Sequence, residues 1–272
     1  MTVTRDSDPA RPATPASPET SAHRESPIGP ESSAEADYPP GRSQLSDPEY
    51  YSGPELARLY ENRFTAAELA GKRELWTALC RGFLDRYVGP DDTVLDLAAG
   101  TCEFSNACRA GRKIAVDLNP DTARYATDAE VVLAPADNMA PVASGTVDVV
   151  FTSNFFEHLP DKRTLLRTLR ECHRVLRPGG RLLVLMPNLR YVGQRYWDYL
   201  DHHLPLTHHS LVEGLRLTGF HPDEVIPRFL PYTVKDSPVR VRGGLVRLYL
   251  RLRPAWRLLG RQMFVAASKP GR

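Results

Sequence analysis

The sequence lacks the features that mark secreted, membrane-spanning and disulfide-rich proteins. Its four cysteines, Cys80, Cys102, Cys108 and Cys172, form no CxxC pair, which favours a reduced chain over a disulfide scaffold. The N-terminal stretch MTVTRDSDPA has no apolar region of signal-peptide type, and no apolar run approaches the ~20 residues that span a bilayer. We therefore predict a cytoplasmic protein.

An excess of charge of one sign is also lacking. The formal net charge is +2, so the overall balance predicts no nucleic-acid partner. With 42% apolar and 25% charged residues, the composition is typical of a globular protein that can bury one sizeable core.

Large apolar side chains are scarce in residues 1–45, where Pro, Ala, Ser and Glu dominate. Such a segment buries too little surface to offset its ordering entropy, so we predict a disordered tail. In residues 46–88, aromatic residues and leucines recur at three- and four-residue steps, which predicts an N-terminal helical flap. The flap either only packs on the main domain or also closes over a ligand.

From Gly89 onward, apolar runs and helical patterns alternate as in a parallel α/β sheet. The predicted strands cover residues 93–97, 113–117, 130–133, 146–152, 181–186, 224–230 and 262–267. Helices are predicted to begin near Glu103, after Asn119 and at Ser210, where Ser210 and Glu213 have capping-box spacing. We assign residues 89–187 to a ligand-binding core, and residues 188–272 to an acceptor-recognition insert with closing strands of the same domain.

The stretch from Val94 to Asn106 carries the first chemical signal. An apolar strand ends near Asp96 and is followed by the small residues Ala98, Ala99 and Gly100. Small residues at this point let the backbone approach a ligand at the carboxyl edge of the sheet. Asp117 ends the next strand, near the ~20-residue offset at which a carboxylate accepts hydrogen bonds from a ribose. The pattern predicts a ligand that contains a nucleoside.

This loop also lacks the GxGxxG pattern of dinucleotide sites. Glu103, at the start of the following helix, would repel a pyrophosphate but suits a cationic ligand. An NAD(P)-dependent oxidoreductase is therefore the weaker interpretation.

Five segments together resemble the successive motifs of class I S-adenosylmethionine-dependent methyltransferases. They are VLDLAAGTCEF, IAVDLNP, ADN, VDVVFTSNFFEHL and VLRPGGRLLVLMPN, and they span roughly residues 90–190. The resemblance, to a bacterial-type small-molecule or glycan subgroup, implies a Rossmann-like, doubly wound α/β fold. Its sheet would have seven mostly parallel strands with an antiparallel last strand.

The resemblance also implies S-adenosyl-L-methionine as the cofactor, bound by the core. Ala98, Ala99 and Gly100 would lie beside its methionine part, and Asp96 would orient the loop or the amino group through water. Asp117 would hold the ribose hydroxyls.

The remaining implied contacts involve the adenine and the methyl end. Leu118 would pack on the adenine, and Asp137 with Asn138 would meet its exocyclic amine and ring edge. Asn154 would line the methionine end. The sequence departs from the family's GxGxG at Ala98 and Cys102, which puts the affinity in question more than the fold.

His158 is the candidate catalytic base. It follows the fourth strand, where cofactor and acceptor should meet, and the ordinary histidine pKa of ~6.5 suits removal of a hydroxyl proton. The alternative is that Glu157 and His158 only stabilise the next helix.

A run of histidines, His202, His203, His208 and His209, follows Asp201. Such a set is able to bind a divalent metal that orients a diol. Pro205 and the predicted helix start at Ser210 argue against their convergence, so we assign no metal.

The stretch from Asn188 to Leu200 offers flat rings with polar tips at the same edge of the sheet. Its tyrosines and Trp197 suit a sugar ring or an aromatic acceptor, although packing is the alternative role for each ring.

Residues 240–261 interleave arginines with leucines and contain no acid. This basic amphipathic stretch predicts peripheral contact with an anionic membrane or a phosphate-bearing acceptor. The alternative is a helix packed on the domain with a solvated arginine face.

We expect an S-adenosylmethionine-dependent methyltransferase that acts on a small-molecule or sugar-containing acceptor. A hydroxyl oxygen is the predicted acceptor atom, with carbon and nitrogen left open. A non-catalytic binding or scaffold protein on the same fold is the rival interpretation.

Overall fold

The computed structural model describes residues 66–232 and 243–271 of the 272-residue chain. Its strands form one seven-stranded sheet in the order β3-β2-β1-β4-β5-β7-β6. In chain order they are β1 (Thr93–Leu97), β2 (Arg112–Asp117), β3 (Glu130–Leu133), β4 (Val147–Ser153), β5 (Leu176–Pro187), β6 (His221–Ile226) and β7 (Gln262–Ser268). The first five pair in parallel, and β7 runs antiparallel to both β5 and β6. The predicted Rossmann-like α/β fold with an antiparallel last strand is confirmed.

Helices cover the two faces of the sheet. They are α1 (Ala66–Gly82), α2 (Glu103–Ala107), α3 (Lys162–Val175), α4 (Leu189–Val192), α5 (His208–Leu217), α6 (Gly243–Arg251) and α7 (Arg253–Leu259). Within residues 66–232 and 243–271, no helix is both long and apolar enough to cross a membrane. The predicted tail, residues 1–45, and residues 46–65 of the predicted flap lie outside the described residues.

The strand order reverses between β1 and β4, the two central neighbours. In open α/β sheets, ligands bind in the crevice outside the carboxyl ends of the strands at such a point. Because β1 to β5 are parallel, the segments that follow each of them emerge at this same edge.

The core consists of one apolar layer on each face of the sheet. Alternate residues of β5 point to opposite faces, so that Leu182 and Val184 join one cluster while Leu183 and Leu185 join the other. The second layer also holds Phe83 after α1, Val246 and Leu250 of α6, and Trp256 of α7. All four cysteines of the chain are buried, free thiols.

Two helix starts differ from those predicted. The segment after Asn119 forms only a 3₁₀ helix, Pro120–Arg124, whose first turn is capped by the Asn119 side chain. The start of α5 was predicted at Ser210, which is wrong, because Thr207 is the capping residue and Ser210 is the third helical residue that completes the capping box.

Two strands differ from their predicted bounds by more than one residue. β5 begins at Leu176 rather than at residue 181, since the turn segment from Arg177 to Gly180 continues the strand. β6 covers His221–Ile226 rather than residues 224–230, because its pairing with β7 begins at His221 opposite Ser268.

Candidate active site

The turn after β1 has a left-handed backbone at three positions. The φ angles of Ala98, Gly100 and Cys102 are 58°, 53° and 57°. A left-handed conformation is strained for residues that carry a Cβ, and glycine is favoured there. The positions where the sequence departs from GxGxG therefore keep the backbone conformation that glycine would adopt, although Ala98 and Cys102 occupy them. Cys102 is fully buried against Ala99 and Ala115.

Asp117 fixes this turn from the neighbouring strand. Its Oδ2 accepts a hydrogen bond of 2.7 Å from the backbone N–H of Gly100, and its Oδ1 accepts one of 2.8 Å from the N–H of Asn119. Burial raises the pKa of the carboxyl group, while these N–H donors act in the opposite direction. The carboxylate predicted to bind ribose is thus held in one orientation beside the turn.

Asp96 lies beneath the turn. The carboxylate is buried and accepts hydrogen bonds from the side chain and the backbone of Ser105, at 2.6 and 3.3 Å. Burial raises its pKa to about 7, against the effect of the Ser105 hydrogen bonds. Asp96 therefore ties β1 to α2, the loop-orienting part of its predicted role.

The acidic groups at this end of the sheet suit a cation. Asp96, Glu103 and Asp117 are close enough for Glu103 and Asp117 each to raise the pKa of Asp96. Glu103 also forms an ion pair of 3.2 Å with Lys72 of α1. S-adenosylmethionine carries a sulfonium and an amino group, so a site rich in carboxylates fits it and disfavours a pyrophosphate.

The residues predicted to meet the adenine also lie at this edge. Leu118 follows β2 directly, and Asp137 and the exposed Asn138 follow β3. The Asp137 carboxylate accepts a hydrogen bond of 2.9 Å from Nε of Arg167. This ion pair holds the side chain of Asp137 in place, and its contact with adenine stays a prediction.

Asn154 is the third non-glycine residue with a left-handed backbone among the described residues, with φ of 49°. It directly follows β4, and its backbone N–H donates to the carbonyl of Leu185. Strained backbone of this kind is concentrated at functional sites. In this structure, all three such residues lie in segments predicted to bind the cofactor.

His158 ends a 3₁₀ helix, Phe156–His158, that follows Asn154. Its Nδ1 lies 2.8 Å from the backbone oxygen of Asp201 and 3.3 Å from the Asp201 carboxylate. Since a carbonyl oxygen only accepts hydrogen bonds, Nδ1 carries the proton and Nε2 bears the lone pair of the neutral ring. The side chain is 28% exposed, which leaves it accessible to a bound molecule.

Glu157 and Tyr232 were not predicted as site residues. Glu157 is 1% exposed, and its Oε2 has no hydrogen-bond partner among the described residues. Burial, with a smaller contribution from the nearby Asp201, raises the pKa of the carboxyl group to about 8. The buried hydroxyl of Tyr232 likewise has no partner within the described ranges. Buried polar atoms without a partner are rare in native structures, and a ligand site is one explanation for them.

These two residues belong to the same neighbourhood as His158. Burial raises the pKa of the Tyr232 hydroxyl, with smaller contributions from Tyr199 and Glu157, and the ring of Tyr232 lies 6.0 Å from that of Tyr199. Tyr199 in turn stacks on His202. No sequence signal marks Tyr232, because 75 residues separate it from Glu157 and its neighbourhood depends on the fold.

The predicted histidine cluster separates into two parts. His202 lies beside His158, with ring centroids 5.1 Å apart, and its Nδ1 donates to the carbonyl of Tyr196. His208 lies at the start of α5, where it accepts a hydrogen bond from Asn188 and contacts His209.

One group in the described part of the chain has metal-ligand spacing. The ligand atoms of Glu157, His158 and His202 lie within 4.8 Å of one another. A metal ion bound here would have to displace the proton that the Glu157 carboxyl, with a pKa of about 8, keeps at neutral pH, which lowers the apparent affinity. We therefore assign no metal to this group.

The aromatic stretch after β5 supplies packing as well as exposed surface. Tyr196 is fully buried and donates its hydroxyl to the carbonyl of Leu204, so it does not line an open pocket. Asn188 is also buried and caps α4. Trp197 and Leu200 are 55% and 85% exposed and remain available to an acceptor.

Comparisons of sequence agree with the geometry. A family model described as a methyltransferase domain matches residues 95–184. The chain is 31% identical over 185 residues to the ubiquinone/menaquinone biosynthesis C-methyltransferase UbiE of Klebsiella pneumoniae, covering 57% of this chain and 69% of that protein. It is 30% identical over 167 residues to the malonyl-[acyl-carrier protein] O-methyltransferase of Methylococcus capsulatus, covering 55% and 58% of the two chains.

A solved structure shares the fold. The S-adenosylmethionine-dependent methyltransferase from Archaeoglobus fulgidus superposes with a TM-score of 0.57 at 23% identity, covering 78% of this chain and 99% of that one. The match includes nearly all of that chain, so the two proteins share the fold.

Proposed function

Because the chain belongs to the class I S-adenosylmethionine-dependent methyltransferases, we propose that it methylates a hydroxyl oxygen of a small-molecule or glycan-type acceptor. The acceptor binds beside His158 at the carboxyl edge of β4. His158 accepts the hydroxyl proton as the methyl group is transferred.

The contact between His158 and Asp201 carries this proposal. The Nδ1 proton is held by the carbonyl and carboxylate of Asp201, so the ring has a fixed orientation and presents Nε2 as the base. The carboxylate also stabilises the positive charge that the ring gains with the proton. Asn154, four residues earlier, belongs to the predicted cofactor site, which brings base and methyl donor to the same end of β4.

A base matters because a neutral hydroxyl is a weak nucleophile. S-adenosylmethionine supplies a methyl group on a sulfonium, which a nucleophile attacks in line with the departing sulfur. Removal of the hydroxyl proton by His158 raises the electron density on the attacking oxygen.

A carbon acceptor is the second candidate, since the Klebsiella relative is named a C-methyltransferase. Loss of a phenolic proton increases electron density on the ring carbons as well as on the oxygen, so the same base serves either outcome. An oxidoreductase function is set aside by the family membership. The measurement of methyl transfer tests the binding-only interpretation.

The experiment compares His158→Asn with His203→Asn. Asparagine retains an N–H that faces Asp201 but does not accept the proton, and His203 is an exposed neighbouring histidine. Calorimetric titration should give similar S-adenosylmethionine affinities for the wild type and both variants. A chain that binds no S-adenosylmethionine would contradict the enzyme function.

Methyl transfer is then measured from labelled S-adenosylmethionine to a panel of simple phenols and glycosides. We expect His158→Asn to lower the rate by about 10²- to 10⁴-fold, with His203→Asn unaffected. NMR of the product distinguishes methoxyl from ring-methyl carbon. A His158→Asn variant with nearly full rate would overturn the assignment of His158 as the base, and products methylated only on carbon would overturn the assignment to oxygen.

A further inference from the structure

The helices α6 and α7 expose leucines on the side that faces away from the core. Leu245, Leu248, Leu252, Leu258 and Leu259 are between 48% and 74% exposed. Leu245 and Leu248 are three residues apart on α6 and therefore lie on the same side of it, while Leu252 lies between α6 and α7. Single exposed leucines are common in proteins, but five on two consecutive helices, here called the leucine stripe, mark an interaction surface.

The opposite faces of the two helices are firmly anchored. Val246, Leu250 and Trp256 are buried in the second apolar layer, where Trp256 contacts Phe83 and Phe229. The indole N–H of Trp256 also donates to the carbonyl of Tyr249, which links α7 to α6. The leucine stripe is therefore not exposed through fraying, because its helices are fixed to the domain.

The charged residues of α6 and α7 themselves are all basic. The exposed arginines on this surface are Arg247, Arg251, Arg253, Arg257 and Arg261. No acidic residue occurs in the sequence from Gly243 to Arg272. Glu74 of α1 accepts an N–H from Gly243, which places this carboxylate at the first residue of α6. Leucines flanked by arginines complement a surface that is apolar inside and anionic at its boundary.

This surface also adjoins the segment assigned to the acceptor. The guanidinium of Arg261, just after α7, donates to the carbonyl of Tyr191. Arg228 donates to the carbonyl of Leu258 and lies over the ring of Tyr191, 5.1 Å from its centroid. The end of α7 is thus connected directly to the residues that follow β5 at the carboxyl edge.

We propose that α6 and α7 form a docking surface for an anionic phospholipid membrane. The leucines enter the boundary between head groups and acyl chains, and the arginines contact lipid phosphates. Because the end of α7 contacts the acceptor segment, docking brings the proposed acceptor site close to the bilayer.

The test is sedimentation of the full chain with vesicles, without S-adenosylmethionine or acceptor, so that its outcome is independent of the proposed reaction. Vesicles of phosphatidylcholine with about 30% phosphatidylglycerol are compared with pure phosphatidylcholine, at about 50 mM and about 500 mM salt. We expect pelleting with the anionic vesicles at low salt and its loss at high salt.

Two variants locate the contact. Leu248→Ser with Leu258→Ser should weaken partitioning at least about tenfold, and Arg247→Gln with Arg251→Gln should weaken it about fivefold per arginine. Arg216→Gln with Leu217→Ser alters the same residue types on the exposed face of α5 and should leave partitioning unchanged.

Three results would overturn the proposal. The first is no pelleting with anionic vesicles at low salt. The second is an equal effect of the control variant, which would place the contact elsewhere. The third is salt-sensitive binding that the leucine substitutions leave intact, which would indicate a phosphate-binding face without insertion into the membrane.

Discussion

Asp117 at the end of β2 accepts a hydrogen bond of 2.7 Å from the backbone N–H of Gly100 in the turn after β1. This hydrogen bond connects β2 to the turn after β1 at the carboxyl edge of the sheet, where the segments that follow the two strands separate. It leaves the carboxylate oriented by two backbone donors before any ligand arrives. The binding site is therefore preorganised at low entropic cost.

Replacing this carboxylate should weaken cofactor binding. We expect Asp117→Ala to lower S-adenosylmethionine affinity by about 10- to 100-fold, since hydrogen bonds to a charged group contribute about 1.5–3 kcal/mol. Calorimetric titration measures the effect. Asp121→Ala, in the following 3₁₀ helix, is the matched control and should bind S-adenosylmethionine with the wild-type affinity. An unchanged affinity in a folded Asp117→Ala variant would contradict the predicted ribose contact.

The left-handed backbone at Ala98 predicts an unusual effect of glycine. Ala98→Gly relieves strain of about 1–2 kcal/mol but increases the entropy of the unfolded chain by about 0.5–1 kcal/mol. We expect the free energy of unfolding to rise by up to about 1 kcal/mol in urea denaturation. Ala143→Gly, at an exposed position outside the left-handed region, should lower it. Equal losses in the two variants would show that no strain is relieved at residue 98.

The buried carboxyl of Glu157 should make stability depend on pH. Its pKa of about 8 in the folded protein exceeds the ordinary value of 4.5. Between these values the unfolded chain has released the proton that the folded chain keeps. The free energy of unfolding therefore falls by up to about 1.4 kcal/mol per pH unit as the pH rises from 4.5 to about 8. Above that pH, Glu157 causes no further change.

Glu157→Gln removes this contribution, so the variant should gain stability relative to the wild type between pH 5 and pH 8. Thermal unfolding across that range is the measurement. Glu213→Gln, at an exposed site on α5, should show the same dependence of stability on pH as the wild type. Asp96, with a pKa of about 7, also makes the stability fall as the pH rises, and both variants retain this contribution. A constant difference between Glu157→Gln and the wild type would argue against a raised pKa.

Removal of metal ions should leave methyl transfer unchanged. Glu157, His158 and His202 have suitable spacing, but the Glu157 carboxyl holds its proton at neutral pH. Dialysis against EDTA followed by a rate measurement tests this expectation. A rate lost on dialysis and restored by a divalent cation would instead assign a metal to these residues.

The strands of the core could be predicted from the sequence because each is a short apolar run that ends at a recognisable turn. β1 was predicted with its observed bounds, and the end of β2 at Asp117 is also as predicted. The start of α5 was misplaced because Ser210 and Glu213 have the same spacing as Thr207 and Ser210, and only the backbone geometry distinguishes them.

The surroundings of His158 could not be predicted in the same way. They depend on contacts between the end of β4, the loop that holds Asp201 and His202, and Tyr232 after β6. Residues that lie this far apart in the sequence show no periodic pattern that would indicate their contact. The histidines appeared as one run in the sequence, yet His202 and His208, on either side of the irregular segment that contains Pro205, have different neighbours.

The burial of the cysteines makes the protein suitable for site-specific spectroscopic labelling. All four thiols are buried, and burial raises the pKa of Cys102 to about 12 and that of Cys108 to about 11. Thiolate, the form that reacts with maleimides, is therefore scarce at neutral pH. A single cysteine introduced at an exposed position such as Leu258 would carry a fluorophore or spin label without prior removal of the native cysteines.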